Sequence, residues 1–211
     1  MDKFKGKYKI ESNRLRGWDY SSDALYFITI VTANREWYFG EIVKGEMIAN
    51  NFGKIAIDEW YQSFEIRQEL YLDEFILMPN HLHAIVKLEN NKTGETDGRS
   101  ERPFGSTITP RPFGSTITPR PFGYTTSIPQ PFIRKPKSIS SFVAGYKSAV
   151  INQIDDLIDE NKMDIKKFNR NNPLWQSNYH DHIIRNDTAY RRIKNYIINN
   201  PKNWDNDKFV E

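Results

Sequence analysis

At 211 residues with no cysteine, the chain is long enough for one domain with an insertion or added tails, and it excludes a disulfide scaffold and any thiolate metal site. A net charge of +3 and a pI near 8.9 are mildly basic, compatible with nucleic acid but not diagnostic of it. No apolar h-region opens the chain and no window approaches about 18 consecutive apolar residues, so the expectation is a cytoplasmic protein without a membrane partner.

Residues 1–22 form a basic arm. Lys3, Lys5, Lys7, Lys9, Arg14 and Arg16 stand against Asp2 and Glu11, with Trp18 and Tyr20 following. Such an arm suits phosphate contact and base stacking, and equally a solvated tail. Ala24 to Thr32 (ALYFITIVT) is too apolar for a one-sided strand and reads as a central one. Glu36 to Ile48 reads as a hairpin turning at Lys44-Gly45. From Asn51 to about Gln68 the period changes. Ile57, Trp60, Tyr61 and Phe64 fall on one helical face that lies on the sheet.

Phe75 to Leu88 (FILMPNHLHAIVKL) is the organising stretch. Two apolar runs flank Pro79-Asn80, which predicts an antiparallel hairpin. In its second strand Leu82, Ala84, Val86 and Leu88 share a core face, while His81, His83, Ile85 and Lys87 share the other. Two imidazoles side by side suit two ligands of one metal ion, or a pair of structural histidines.

Between Glu89 and Lys137 a nine-residue unit repeats: RPFGSTITP at Arg102 and Arg111, RPFGYTTSI at Arg120, and an echo, QPFI, at Gln130. Proline, glycine and Ser/Thr in every unit predict an expanded loop. The domain plan is therefore an arm over 1–22 and one domain over 23–211, interrupted by a flexible insertion at 89–137.

Beyond it, Ser140 or Ser141 can cap a helix whose stripe is Val143, Tyr146, Val150, Ile154 and Leu157. Lys147 beside that stripe is a solvated lysine or a phosphate contact. Leu174 to Ile184 is strand-like and holds His180 and His182 around Asp181. Asn186 or Asp187 can cap a last helix that Pro201 stops. Ile193 and Ile197 face the core, Tyr196 and Asn200 emerge together one turn apart, and Arg191, Arg192 and Lys194 decorate the outer face, with Arg185 just ahead.

The pairing of MPNHLHAIV with a distant YIINNP, in the order strand, hairpin, helix, hairpin, helix, strand, helix, resembles the REP-associated tyrosine transposases. These form a single-tyrosine branch of the HUH endonucleases, and the resemblance covers nearly the whole chain outside the repeats. It implies an α+β, ferredoxin-like fold with a mostly antiparallel sheet. It implies that His81 and His83 are metal ligands, Asn200 the third ligand and Tyr196 the nucleophile. Implied too is hairpin-bearing single-stranded DNA as the partner; hard-ion preference favours magnesium or manganese as the ion, although two imidazoles also accept zinc, nickel or cobalt. Arg14, Arg16, Lys147, Arg185, Arg191 and Arg192 are the candidate DNA contacts. Some relatives place the tyrosine helix against the histidines of a second subunit, so a homodimer is one arrangement and a monomer the other.

The chemistry is consistent with that assignment. A free phenol has a pKa near ~10 and attacks a phosphodiester poorly at neutral pH. A cation held by neutral ligands keeps its charge for the scissile phosphate. His180 and His182 are expected in structural or DNA-facing roles, with a four-histidine site as the sharper alternative. Two other classes remain open from sequence: a non-catalytic nucleic-acid-binding module on the same sheet, and a metal-dependent hydrolase that uses water. No proton acceptor for Tyr196 is legible.

Overall fold

The computed structural model describes residues 3–4, 7–8, 15, 17–90, 135–207 and 209. Arg14, Arg16 and the nine-residue repeats, with the loop predicted for them, lie outside these residues.

Four strands make the central sheet: β1 (Ala24–Val31), β4 (Leu70–Leu77), β5 (His81–Leu88) and β6 (His180–Ile184). A separate hairpin, β2 (Gly40–Val43) and β3 (Glu46–Ala49), follows β1. Among the described residues there are three α-helices: α1 (Asn51–Ile66), α2 (Ile139–Glu160) and α3 (Asp187–Asn199). The sheet order is β4-β5-β1-β6, every pairing antiparallel. With α1 and α2 in the crossovers this is the ferredoxin-like βαββαβ plan, as the sequence implies.

The two central strands, β1 and β5, send alternate side chains to the two faces of the sheet, while β4 has a register shift between Leu72 and Glu74. Tyr26, Ile28 and Ile30 of β1, and Leu82, Ala84, Val86 and Leu88 of β5, are fully buried against α1 and α2. Trp60 is the centre of that core, stacked on Phe75 at 5.1 Å and touching Phe142 and Tyr146 at 5.1 and 5.0 Å. The Tyr146 hydroxyl donates to the Ala56 carbonyl at 3.1 Å, tying α2 to α1. Trp60→Ala should therefore lower the unfolding free energy by about 3–5 kcal/mol, read as a shifted denaturant midpoint.

Four sequence expectations need correction. Tyr61 is 52% exposed, because the buried face of α1 is Gly53, Ala56 and Trp60. Helix α2 starts earlier than predicted: Ser138 is its cap, in a reciprocal capping box with Ser141. In its last turn Ile158, not Leu157, is buried. Only His180–Ile184 of the predicted 174–184 strand is regular. The preceding residues run irregularly past β1, through the Thr32–Trp175 bridge. By contrast the β2–β3 turn falls at Lys44 and Gly45, where φ values of 53° and 77° favour a small residue at the second place.

Helix α3 covers the opposite sheet face. Ile193 and Ile197 pack on Ile85 and Ile184, with Leu25, Phe27 and Ile76 around them. That second, smaller core is what brings the C-terminal helix over the histidine strand.

Candidate active site

His81 and His83 open β5 on the α3 face of the sheet, both essentially buried. Their ring centroids are 4.5 Å apart. Each Nδ1 meets an oxygen. Asn80 Nδ2 donates to the carbonyls of Arg35 and Phe209, at 3.0 and 2.6 Å, which leaves Asn80 Oδ1 facing His81 Nδ1 at 2.7 Å. An amide oxygen only accepts, so His81 carries its proton on Nδ1 and its lone pair on Nε2. His83 Nδ1 lies 2.8 Å from Thr29 Oγ1, its cross-strand partner in the β1–β5 register. A hydroxyl both donates and accepts, so Thr29 suits either tautomer of His83.

Tyr196 arrives from α3. Asn186 caps the helix by accepting from the Ala189 amide, and Lys194 Nζ ties it to β4 through Asp73 at 2.6 Å and Glu74 at 3.7 Å. The Asp73 hydrogen bond raises the Lys194 pKa further, so the tie stays charged. Held this way, the Tyr196 hydroxyl sits 3.1 Å from His83 Nε2 and donates to Asp207 Oδ2, also at 3.1 Å. Phe27 touches both rings, at 5.3 Å from His83 and edge-on at 6.3 Å from Tyr196. The tyrosine remains 39% exposed, so a substrate can reach it. Burial, then the charge and hydrogen bond of Asp207, push its phenol well above the usual tyrosine pKa. It is a neutral hydroxyl in this arrangement.

Asp207 is the site residue that sequence reading missed. Its carboxylate and the two imidazoles offer ligand atoms within 4.8 Å of one another. Asn200 is 1% exposed and donates its Nδ2 to Asp207 Oδ2 at 2.8 Å. Its amide oxygen is buried with no hydrogen-bond partner among the described residues. Two imidazoles and a carboxylate, with an unsatisfied amide oxygen on a residue bound to that carboxylate, fit a divalent cation. The expected ligand set is all neutral; the cluster adds a carboxylate beside the imidazoles, which would offset part of a bound cation's charge.

The other predicted residues scatter. Lys147 lies on α2, on the far side of the sheet, and donates to the carbonyls of Gln176 and Asn178 at 2.8 and 3.0 Å. It pins the chain leading into β6 and is not placed to meet a phosphate at the site. Arg191 and Arg192 are exposed on α3, and Arg185 is exposed just before it. His180 and His182 are exposed on β6, paired with Thr29 and Phe27, so all of β1 stands between them and the first histidine pair. The two pairs lie about 10 Å apart across the sheet, which removes the four-histidine alternative.

Comparison with known proteins places this geometry in context. No family model matches the chain. A Haemophilus influenzae protein of uncharacterised function is 29% identical over 203 residues, 96% of this chain and 94% of that one. Among solved structures, a REP-associated tyrosine transposase bound to a REP hairpin aligns with a TM-score of 0.48. It shares 14% identity over 97% of this chain and 74% of that one. A candidate transposase of Deinococcus radiodurans R1 aligns with a TM-score of 0.38 and 15% identity, over 88% of this chain and 95% of that one.

The shell behind the imidazoles gives a first prediction for the site. Asn80→Ala frees the His81 tautomer, and Thr29→Val removes the oxygen behind His83. Each should weaken manganese binding about 10–100-fold with the fold intact, measured by calorimetry beside a thermal melt. Among the described residues, no helix is long and apolar enough to cross a membrane.

Proposed function

We propose that the protein is a metal-dependent single-stranded DNA nickase and strand transferase of the REP-associated tyrosine transposase type. The observation that carries this reading is the meeting of Tyr196 with His83 at 3.1 Å across 113 positions of sequence, beside a three-residue cation-ligand cluster. Binding alone requires none of these contacts.

His81, His83 and Asp207 would hold the ion, with the Asn200 amide oxygen as a further donor. Magnesium or manganese bound there supplies positive charge to the scissile phosphate and to the oxyanions of the transition state. The protein's own groups do the rest. Tyr196 Oη attacks the phosphorus in line, and its proton leaves toward Asp207 Oδ2, the carboxylate it already faces. The bond from phosphorus to the 3′-oxygen breaks, and that oxygen takes up the proton that Asp207 received, leaving the carboxylate as it began. The products are a 5′-phosphotyrosine and a free 3′-hydroxyl. Because the tyrosyl ester preserves a phosphodiester, another 3′-hydroxyl can reverse the step, giving strand transfer without a nucleotide cofactor.

Hairpin-bearing single-stranded DNA is the proposed substrate, on the resemblance of MPNHLHAIV and YIINNP to that family. All parts of the site come from one chain, so a monomer acting in cis is sufficient. Incubation of the protein with such DNA and manganese should give a protein–DNA adduct that survives denaturant. Cleavage without an adduct would instead indicate water as the nucleophile, and binding without cleavage a recognition module.

A further inference from the structure

The groups described so far occupy one end of the sheet face that α3 covers. At its other end is a cleft of about 380 Å³, lined by Leu25, Asp73, Ile184, Arg185, Tyr190 and the Asn186–Asp187 turn. No part of the proposed chemistry uses it.

Its lining is chemically divided. Leu25 and Ile184 are cross-strand partners at the end of the β1–β6 pairing and supply apolar surface. Tyr190 adds an aromatic ring, with Lys194 Nζ 5.6 Å from its centroid. Asp73 adds an acceptor, already engaged by Lys194. Arg185 is exposed and has no ion pair or hydrogen bond among the described residues. An apolar base of the cleft, an aromatic wall and an uncommitted guanidinium together suit one unpaired nucleotide: its base against Tyr190 and Leu25, its phosphate on Arg185.

The register connects this cleft to the reacting groups. Thr29, behind His83, pairs with His180; Phe27, against Tyr196, pairs with His182; Leu25 pairs with Ile184. The same-face side chains of β6 thus step from the tyrosine to the cleft as His180, His182 and Ile184, with Arg185 next in the chain. Both histidines are exposed. Four residues of strand is about 13 Å, a span of roughly two nucleotides of extended single strand. We infer that this cleft holds an unpaired nucleotide of the DNA strand, near the cleavage point, and that β6 is the track along which the strand reaches it.

This inference rests on the proposed function for its ligand, yet its test does not need cleavage. The full chain carrying Tyr196→Phe is titrated with a fluorescein-labelled pool of random-sequence single-stranded DNA at several salt concentrations. Adding Arg185→Ala should weaken binding and flatten the slope of log K against log salt by about 0.7, one phosphate contact of a single strand. Arg185→Lys should restore the slope. Adding Tyr190→Leu should weaken binding about tenfold and leave the slope unchanged, the mark of lost stacking. Thermal melts accompany each protein. In the Tyr196-containing protein, both changes should raise the DNA concentration needed for adduct formation and leave its rate at saturation alone. Unchanged affinity and slope for both variants, in proteins that melt normally, overturn the cleft as a nucleotide site. An absent adduct with the binding effects intact would overturn the proposed chemistry and leave the cleft standing.

Discussion

Tyr196→Phe should abolish the denaturant-resistant adduct and still bind single-stranded DNA. The substitution removes one oxygen from a half-exposed ring whose packing, against Phe27 and His83, is otherwise unchanged. Covalent turnover should fall by about four orders of magnitude or more, since Tyr196 is the exposed nucleophile at the cluster and the Thr29 hydroxyl is buried behind His83. The α3 contacts to the sheet rest on Ile193, Ile197 and Lys194, so the melting temperature should stay within a few degrees. Cleavage that persists in this variant, with free 5′-phosphate ends, would assign the attack to water.

The second large effect concerns the ligand set. His81→Ala and His83→Ala should each abolish measurable manganese binding and adduct formation, because each removes a nitrogen donor from a three-residue cluster. Asp207→Ala and Asn200→Ala separate the two candidates for the remaining donor. Asp207 also accepts from Tyr196, Asn200 and the Phe209 amide, so its loss should weaken metal binding and unsettle the tyrosine together. Asn200→Ala should weaken metal binding less, since the carboxylate remains. A larger effect at Asn200 than at Asp207 would restore the amide as the principal third ligand. Calorimetry with manganese reads all four proteins directly.

The elements that carry the site were legible where periodicity is strong. The β5 alternation placed both imidazoles on one face, and their neighbours Leu82, Ala84, Val86 and Leu88 are fully buried on the other. The i, i+4 spacing in α3 brought Tyr196 and Asn200 out together, and both contact Asp207. Asp207 itself gave no signal. It follows the short 3-10 segment Pro201–Asn206, whose PKNWDN composition carries no period, and only the fold returns that segment to the histidines. Trp204, on the same segment, lies along the His81 ring at 5.9 Å.

Asn80 and Thr29 were hidden for a different reason. Asn80 reads as a turn residue beside proline, and it does end the β4–β5 hairpin. Its amide, however, is committed to three long-range or adjacent partners that no local pattern encodes. Thr29 reads as one β-branched residue in an apolar strand. Its pairing with His83 depends on the β1–β5 register, a tertiary fact. Lys147 shows the converse. A lysine beside a helical stripe has several possible partners, and two nearby carbonyls are the ones it meets.

One measurement tests the central claim most directly. After reaction with single-stranded hairpin DNA and manganese, the adduct is digested with nuclease and trypsin and the peptides are weighed. The account predicts a phosphonucleotide on the peptide Asn195–Lys202 (NYIINNPK), whose one tyrosine is Tyr196. That peptide recovered wholly unmodified, or the nucleotide found on another peptide, would contradict it.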